Sequence, residues 1–175
     1  MVTSQGVVRV HQHGQTLTVQ IEGRATMQQS PLVRCFAEYC LAHKTTVLHL
    51  DLRHCTSMDS TFLGTLLFLK RAVARQEQDE FALISPSPQC CRCLQQMGLD
   101  EFFPIMIERE PEASVWTELK SEADDLTALK RNVVQAHQEL ARLTGPASEP
   151  FRALAGDLTR ELEAEQPTPR QDNKY

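Results

Sequence analysis

At 175 residues and 19.8 kDa the chain has room for one core of about 100 to 150 residues plus an appendage, which excludes a two-domain enzyme. Its 41% apolar and 23% charged residues exclude general disorder and fibrous repeats, and no apolar run approaches the roughly 18 to 20 residues of a membrane-spanning helix. A net charge of −5, with Lys70-Arg71 and Lys130-Arg131 as the basic pairs, leaves little to neutralise a phosphate backbone, so nucleic acid is not an expected partner.

Val8 and Val10, then Leu17, Val19 and Ile21, alternate with polar residues around His13-Gly14-Gln15, the pattern of two half-buried strands in a hairpin ended by Gly23. Ser30-Pro31 opens a helix with Leu32, Cys35, Phe36, Tyr39, Cys40 and Ala42 at three-to-four spacing, Ser serving as cap and Pro suiting the first turn. Val47 to Leu52 is nearly continuous in apolar character and predicts a central strand covered on both faces. A polar connection from Arg53 to Asp59 leads into an apolar helix carrying Leu63, Leu66, Leu67, Leu69, Val73 and Ala74, with Asp59 or Ser60 at its start. Phe81 to Ile84 predicts a strand, Ser87 to Met97 a helix stopped by Gly98, and Phe102 to Ile107 a last strand whose Pro104 belongs at an edge or bulge. The order β-β-α-β-α-β-α-β through about residue 108 is that of an α/β fold with a mixed, largely parallel sheet.

Beyond Pro111 the charge shifts. Residues 111–175 hold 12 of the 23 acidic residues against 8 basic ones, so the acidic excess sits in a C-terminal extension. There Leu119, Leu126, Val133 and Leu140 recur every seven residues, with Val115, Leu129, Ala136 and Leu143 as companions and Glu122 as the one break, predicting one long amphipathic helix that Gly145-Pro146 ends. A second helix follows over 148–165, with Phe151, Leu154, Leu158 and Leu162 on one face, before a polar end expected to be disordered. The divisions are 1–110, 111–165 and 166–175. The first tail helix packs on its own domain or on the second tail helix, or else forms a coiled coil that joins two copies as a homodimer through the C-terminal helices.

Six cysteines without an export leader are read as reduced thiols of a cytoplasmic chain. Cys90 and Cys93 have C-x-x-C spacing, but no second pair completes a zinc set, so they read as small buried helix residues and no cofactor or metal is expected. Gly-rich phosphate loops, the G-x-S-x-G elbow and H-E-x-x-H are all missing from the sequence, which argues against an enzyme.

What stands out is Met58-Asp59-Ser60-Thr61-Phe62-Leu63-Gly64, where a loop hands an Asp-Ser pair to a helix N-terminus. Asp59 or Ser60 as an N-cap satisfies free backbone N–H groups for about 0.5–2 kcal/mol. A hydroxyl there also suits phosphorylation, because exposed amides and the positive dipole end tolerate the added charge while a partner lacking Arg or Lys does not.

Residues 7–108 resemble the anti-sigma factor antagonists, whose fold is the STAS domain. The resemblance is carried by Leu17 to Gly23, by Val47 to Leu52 with Asp51, by Met58-Asp59-Ser60-Thr61 eight residues after Asp51, and by the closing Phe81 to Ile105 pieces. It implies a STAS-like protein that binds an anti-sigma factor with serine kinase activity and is switched off by phosphorylation at Ser60, a PP2C-type phosphatase restoring it. Asp59, Ser60, Thr61 and Phe62 are the implied partner-binding residues. Phe62, standing where many members have Gly, is either a core residue or a partner anchor. The alternative function is a non-catalytic STAS scaffold that assembles a signalling complex independently of phosphorylation, and a small-ligand sensor would need an apolar pocket.

Overall fold

The computed structural model describes residues 6–75, 80–110, 115–120, 126–145 and 148–164. Strands β1 (Val7–His13) and β2 (Thr16–Ala25) pair antiparallel, Val10 facing Val19, across a turn in which Gly14 takes a φ of 59°. There follow α1 (Ser30–Ala42), β3 (Val47–Asp51), β4 (Cys55–Met58), α2 (Ser60–Val73), β5 (Glu80–Ile84), α3 (Pro88–Gln96) and β6 (Ile105–Met106). The extension adds β7 (Thr117–Leu119), α4 (Leu126–Ala141) and α5 (Glu149–Ala164).

The strand order is β6-β5-β3-β2-β1-β7, and β4 pairs separately with the end of β2. β2–β3, β3–β5, β5–β6 and β2–β4 are parallel, whereas β1 pairs antiparallel with β2 and β7, so the sheet is mixed and largely parallel as expected. Leu17, Val19 and Ile21 of β2 and Leu48 and Leu50 of β3 are fully buried, and helix α2 adds Phe62, Leu66, Leu67 and Leu69 to the same core. Such continuous burial is what makes the sequence of β3 apolar nearly throughout. At its end Asp51 is buried and takes the Arg53 Nε on both carboxylate oxygens at 2.9 Å, so the charge enters the core paired.

Several boundaries differ from the sequence reading. Gly23 does not end β2: it adopts a φ of 79° at a register irregularity, and the strand continues to Ala25. Ser30 does not cap α1, because Gln29 holds that position and the Ser30 hydroxyl donates to the Thr26 carbonyl at 3.0 Å. The polar connection contains β4, which lacks apolar periodicity and exists by pairing with Gly23–Ala25. Only Ile105 and Met106 of the last expected strand pair, on the sheet edge, directly after Pro104, whose carbonyl accepts from the Leu83 N–H at 2.9 Å.

The long tail helix is the largest correction. Residues 117–119 form a strand on the free edge of β1, with Leu119 opposite Val8, and the helix begins only at Leu126. An unpaired edge offers backbone groups that an isolated heptad pattern does not reveal. Helix α4 packs on α2, and α5 packs on α4, so Ala136 and Leu140 are buried within the same chain. The break assigned to Glu122, Pro146 and the expected disorder of 166–175 lie outside the described residues.

Leu50→Ala should lower stability by about 2–5 kcal/mol, whereas Leu126→Ala, on the exposed start of α4, should stay within about 0.5 kcal/mol; urea unfolding midpoints measure both.

Candidate functional site

Asp59 organises the head of α2. Its extended backbone (φ −97°, ψ 173°) suits an N-cap, and its Oδ1 accepts the Phe62 N–H at 2.8 Å. The other oxygen, Oδ2, accepts the Met27 N–H at 2.8 Å, while the Asp59 N–H donates to the Ala25 carbonyl at 3.1 Å. One carboxylate therefore ties the exit of β2 to the first turn of α2. Ser60 is the first helical residue and is half-buried.

The Ser60 hydroxyl meets His137 of α4, with Oγ 3.2 Å from Nε2. Nδ1 of the same ring lies 2.8 Å from the Val133 carbonyl, which can only accept, so Nδ1 carries a proton. In the neutral ring Nε2 is then an acceptor, and the Ser60 O–H donates to it. The hydroxyl thus has its proton engaged by the extension.

Thr61 and Phe62 lie elsewhere. Thr61 is 5% exposed and its carbonyl accepts from the Thr65 hydroxyl at 3.0 Å. Phe62 is fully buried and belongs to the core, so of its two readings the structure supports the packing one. Neither offers its side chain to a partner in this arrangement, and of the four residues proposed for the site Asp59 and Ser60 alone are partly accessible.

Helix α4 supplies residues to which the sequence assigned no role. Asn132 Nδ2 donates to the Thr65 hydroxyl at 3.4 Å, and Glu139 accepts from Arg71 and, at 2.6 Å, from Arg142. Gln135 accepts from Arg34 of α1. Asn132 and Glu139 stand seven residues apart on the helical face that also carries Ala136, so polar groups interrupting an apolar face were the available signal. Beside the site an open cavity of about 310 Å³ is bounded by Met27, Leu129, Val133, Val134, Leu158 and Leu162.

Cys90 and Cys55 are buried against each other under the site. The hydrogen bond with Cys55 holds the Cys90 thiol down to about 7 despite burial, and the same contact pushes Cys55 up. Burial raises Cys93, whose thiol faces the Met58 carbonyl at 3.8 Å. Among the described residues no group of three or more His, Cys, Asp or Glu side chains is arranged to hold a metal ion. No described helix is long and apolar enough to cross a membrane.

A family model described as the Mlab, STAS domain matches residues 8–108, more than half of the chain. The chain belongs to the STAS-domain family. Solved structures with the same fold include the unphosphorylated form of the anti-sigma factor antagonist SpoIIAA, 18% identical with a TM-score of 0.53, aligned over 59% of this chain and 89% of that one. An anti-sigma factor antagonist from Mycobacterium paratuberculosis is 20% identical with a TM-score of 0.51, over 63% and 89% of the two chains. The phosphorylated form of the Bacillus cell fate determinant SpoIIAA is 18% identical with a TM-score of 0.50, over 59% and 92%. A comparison with curated proteins found no match.

Asp59→Ala should cost about 1–3 kcal/mol, since it removes a cap and leaves the Met27 N–H without its acceptor. Thermal unfolding checks this, and Ser60→Ala should cost less because the hydroxyl is only half-buried.

Proposed function

We propose that the chain is a non-catalytic regulatory protein of the anti-sigma factor antagonist type, with Asp59 and Ser60 as its partner face and Ser60 as its phosphoacceptor. The observation that carries this reading is the position of Ser60: it directly follows a doubly anchored Asp59 cap, at a helix start where an added phosphate meets free backbone amides. The cap holds the backbone, so modification changes the surface and leaves the fold intact. Solved relatives described as anti-sigma factor antagonists, in phosphorylated and unphosphorylated forms, support the same reading.

In this scheme the unmodified protein binds a cytoplasmic anti-sigma factor that is also a serine kinase. Phosphorylation at Ser60 ends binding, because a doubly charged group beside Asp59 cannot be desolvated against a partner without a matching cation. A PP2C-type phosphatase restores the binding form. The second reading, a STAS scaffold that assembles without phosphorylation, is favoured by the burial of Thr61 and Phe62, which narrows the accessible face. Pairing of two copies through the C-terminal helices would have to use α5 and the outer side of α4, because Ala136 and Leu140 are already covered.

Incubation with the cognate kinase and ATP should add a single phosphate, detected by mass spectrometry and absent in Ser60→Ala, and Ser60→Asp should abolish kinase binding. Modification confined to other residues rejects the assignment. Assembly that is indifferent to Ser60→Asp selects the scaffold.

A further inference from the structure

Helix α4 covers the face of α2 that begins at Ser60, and among its buried residues polar side chains stand beside the apolar Val134, Ala136 and Leu140. Asn132, His137 and Glu139 are only 4–6% exposed, so three polar side chains of one helix are buried in this interface. Their partners are Thr65, Ser60 and Arg71, and the Oδ1 of Asn132 has no hydrogen-bond partner among the described residues. A helix committed to a permanent core buries apolar groups, since each buried polar group gives up water for a bond that at best replaces it. Interfaces that separate are the polar ones, because both faces are well solvated when apart.

Two further observations agree. The family match ends at residue 108, and 59% of this chain covers 89% of the unphosphorylated SpoIIAA, so the STAS unit is complete without this helix. The open cavity of about 310 Å³ between Met27 and the α4–α5 pair leaves that side of the contact unfilled.

We propose that α4 is a detachable strap over the partner face: it must lift from α2 before Asp59 and Ser60 can be engaged, and the Ser60–His137 hydrogen bond is its latch. Strand β7, paired to β1, tethers the strap upstream, and α5 travels with it. What replaces α4 meets the surface α4 leaves. Gly64 has no side chain where α4 crosses, and a Cβ there would overlap the Ala136 carbonyl, while Arg71 is left without Glu139. The entering partner is therefore a helix with a small residue at the Gly64 crossing and a carboxylate one turn further on. That this opening controls binding rests on the function proposed above; the opening itself does not.

Hydrogen exchange on the full chain tests the strap. Gly64→Ala favours α2 as a helix but blocks the crossing, and Glu139→Arg sets a third cation against Arg71 and Arg142 while leaving α2 untouched. In both variants amides of 126–141 should lose protection at least tenfold while those of β2 and β3 keep theirs, and Arg71→Glu should restore protection to Glu139→Arg. A helix-stapled peptide of residues 126–141 should bind Glu139→Arg at least tenfold more tightly than wild type. Loss of protection in α4 and the sheet together, unchanged protection in both variants, or equal peptide binding to both proteins would overturn the proposal. A strap that opens as described while Ser60 is never phosphorylated removes only the switch reading.

Discussion

Two backbone amides from segments far apart in sequence, those of Met27 and Phe62, converge on the single carboxylate of Asp59. Hydrogen bonds to an ionised acceptor are the stronger kind, and here they join the end of β2 to the first turn of α2. The residue that follows is thereby set at the helix start with its backbone held on one side. The Asp59 side chain, and not the Ser60 hydroxyl, caps the turn. The same arrangement explains why Thr61 and Phe62 are lost to the surface: with the helix axis set by the cap, positions two and three of α2 point into the core.

The extension adds a second chemistry to apolar burial. Helix α2 gives Phe62, Leu66 and Leu69 to the core that Leu140 of α4 also joins, and it meets α4 through Ser60, Thr65 and Arg71 as well. The core is cemented by apolar area, and the α2–α4 contact adds to its apolar part hydrogen bonds that water can replace. The two helices still come close, because Gly64 removes the side chain that would hold them apart. A small residue at the crossing and polar groups along it make a contact that is specific in register.

Legibility in the sequence followed from how local each determinant is. Strands β1, β2, β3 and β5 and helices α1, α2 and α3 were readable from periodicity, caps and Gly98, whose φ of 64° ends the turn after α3. The Asp-Ser pair at the head of α2 was readable for the same reason, since an N-cap is a matter of a few residues. Strand β4 was not, because Cys55 to Met58 have no pattern of their own and become a strand only beside Gly23–Ala25. Nor was β7: Thr117 to Leu119 fit a helical heptad as written, and the free edge of β1, more than a hundred residues away, decided otherwise.

The sequence by itself therefore determined the α/β class, the order of the main elements, the family resemblance and the place of Ser60 on its helix, all of which depend on neighbours along the chain or on apolar spacing. Tertiary structure alone decided that His137, seventy-seven residues away, is the hydrogen-bond partner of that hydroxyl, and that α4 rather than solvent lies over α2. A seam of leucines states that a helix will bury one face but not against what, because the hydrophobic effect has no direction. The choice fell to the shape at Gly64 and the charge on Arg71, which exist as a surface only once the chain has folded.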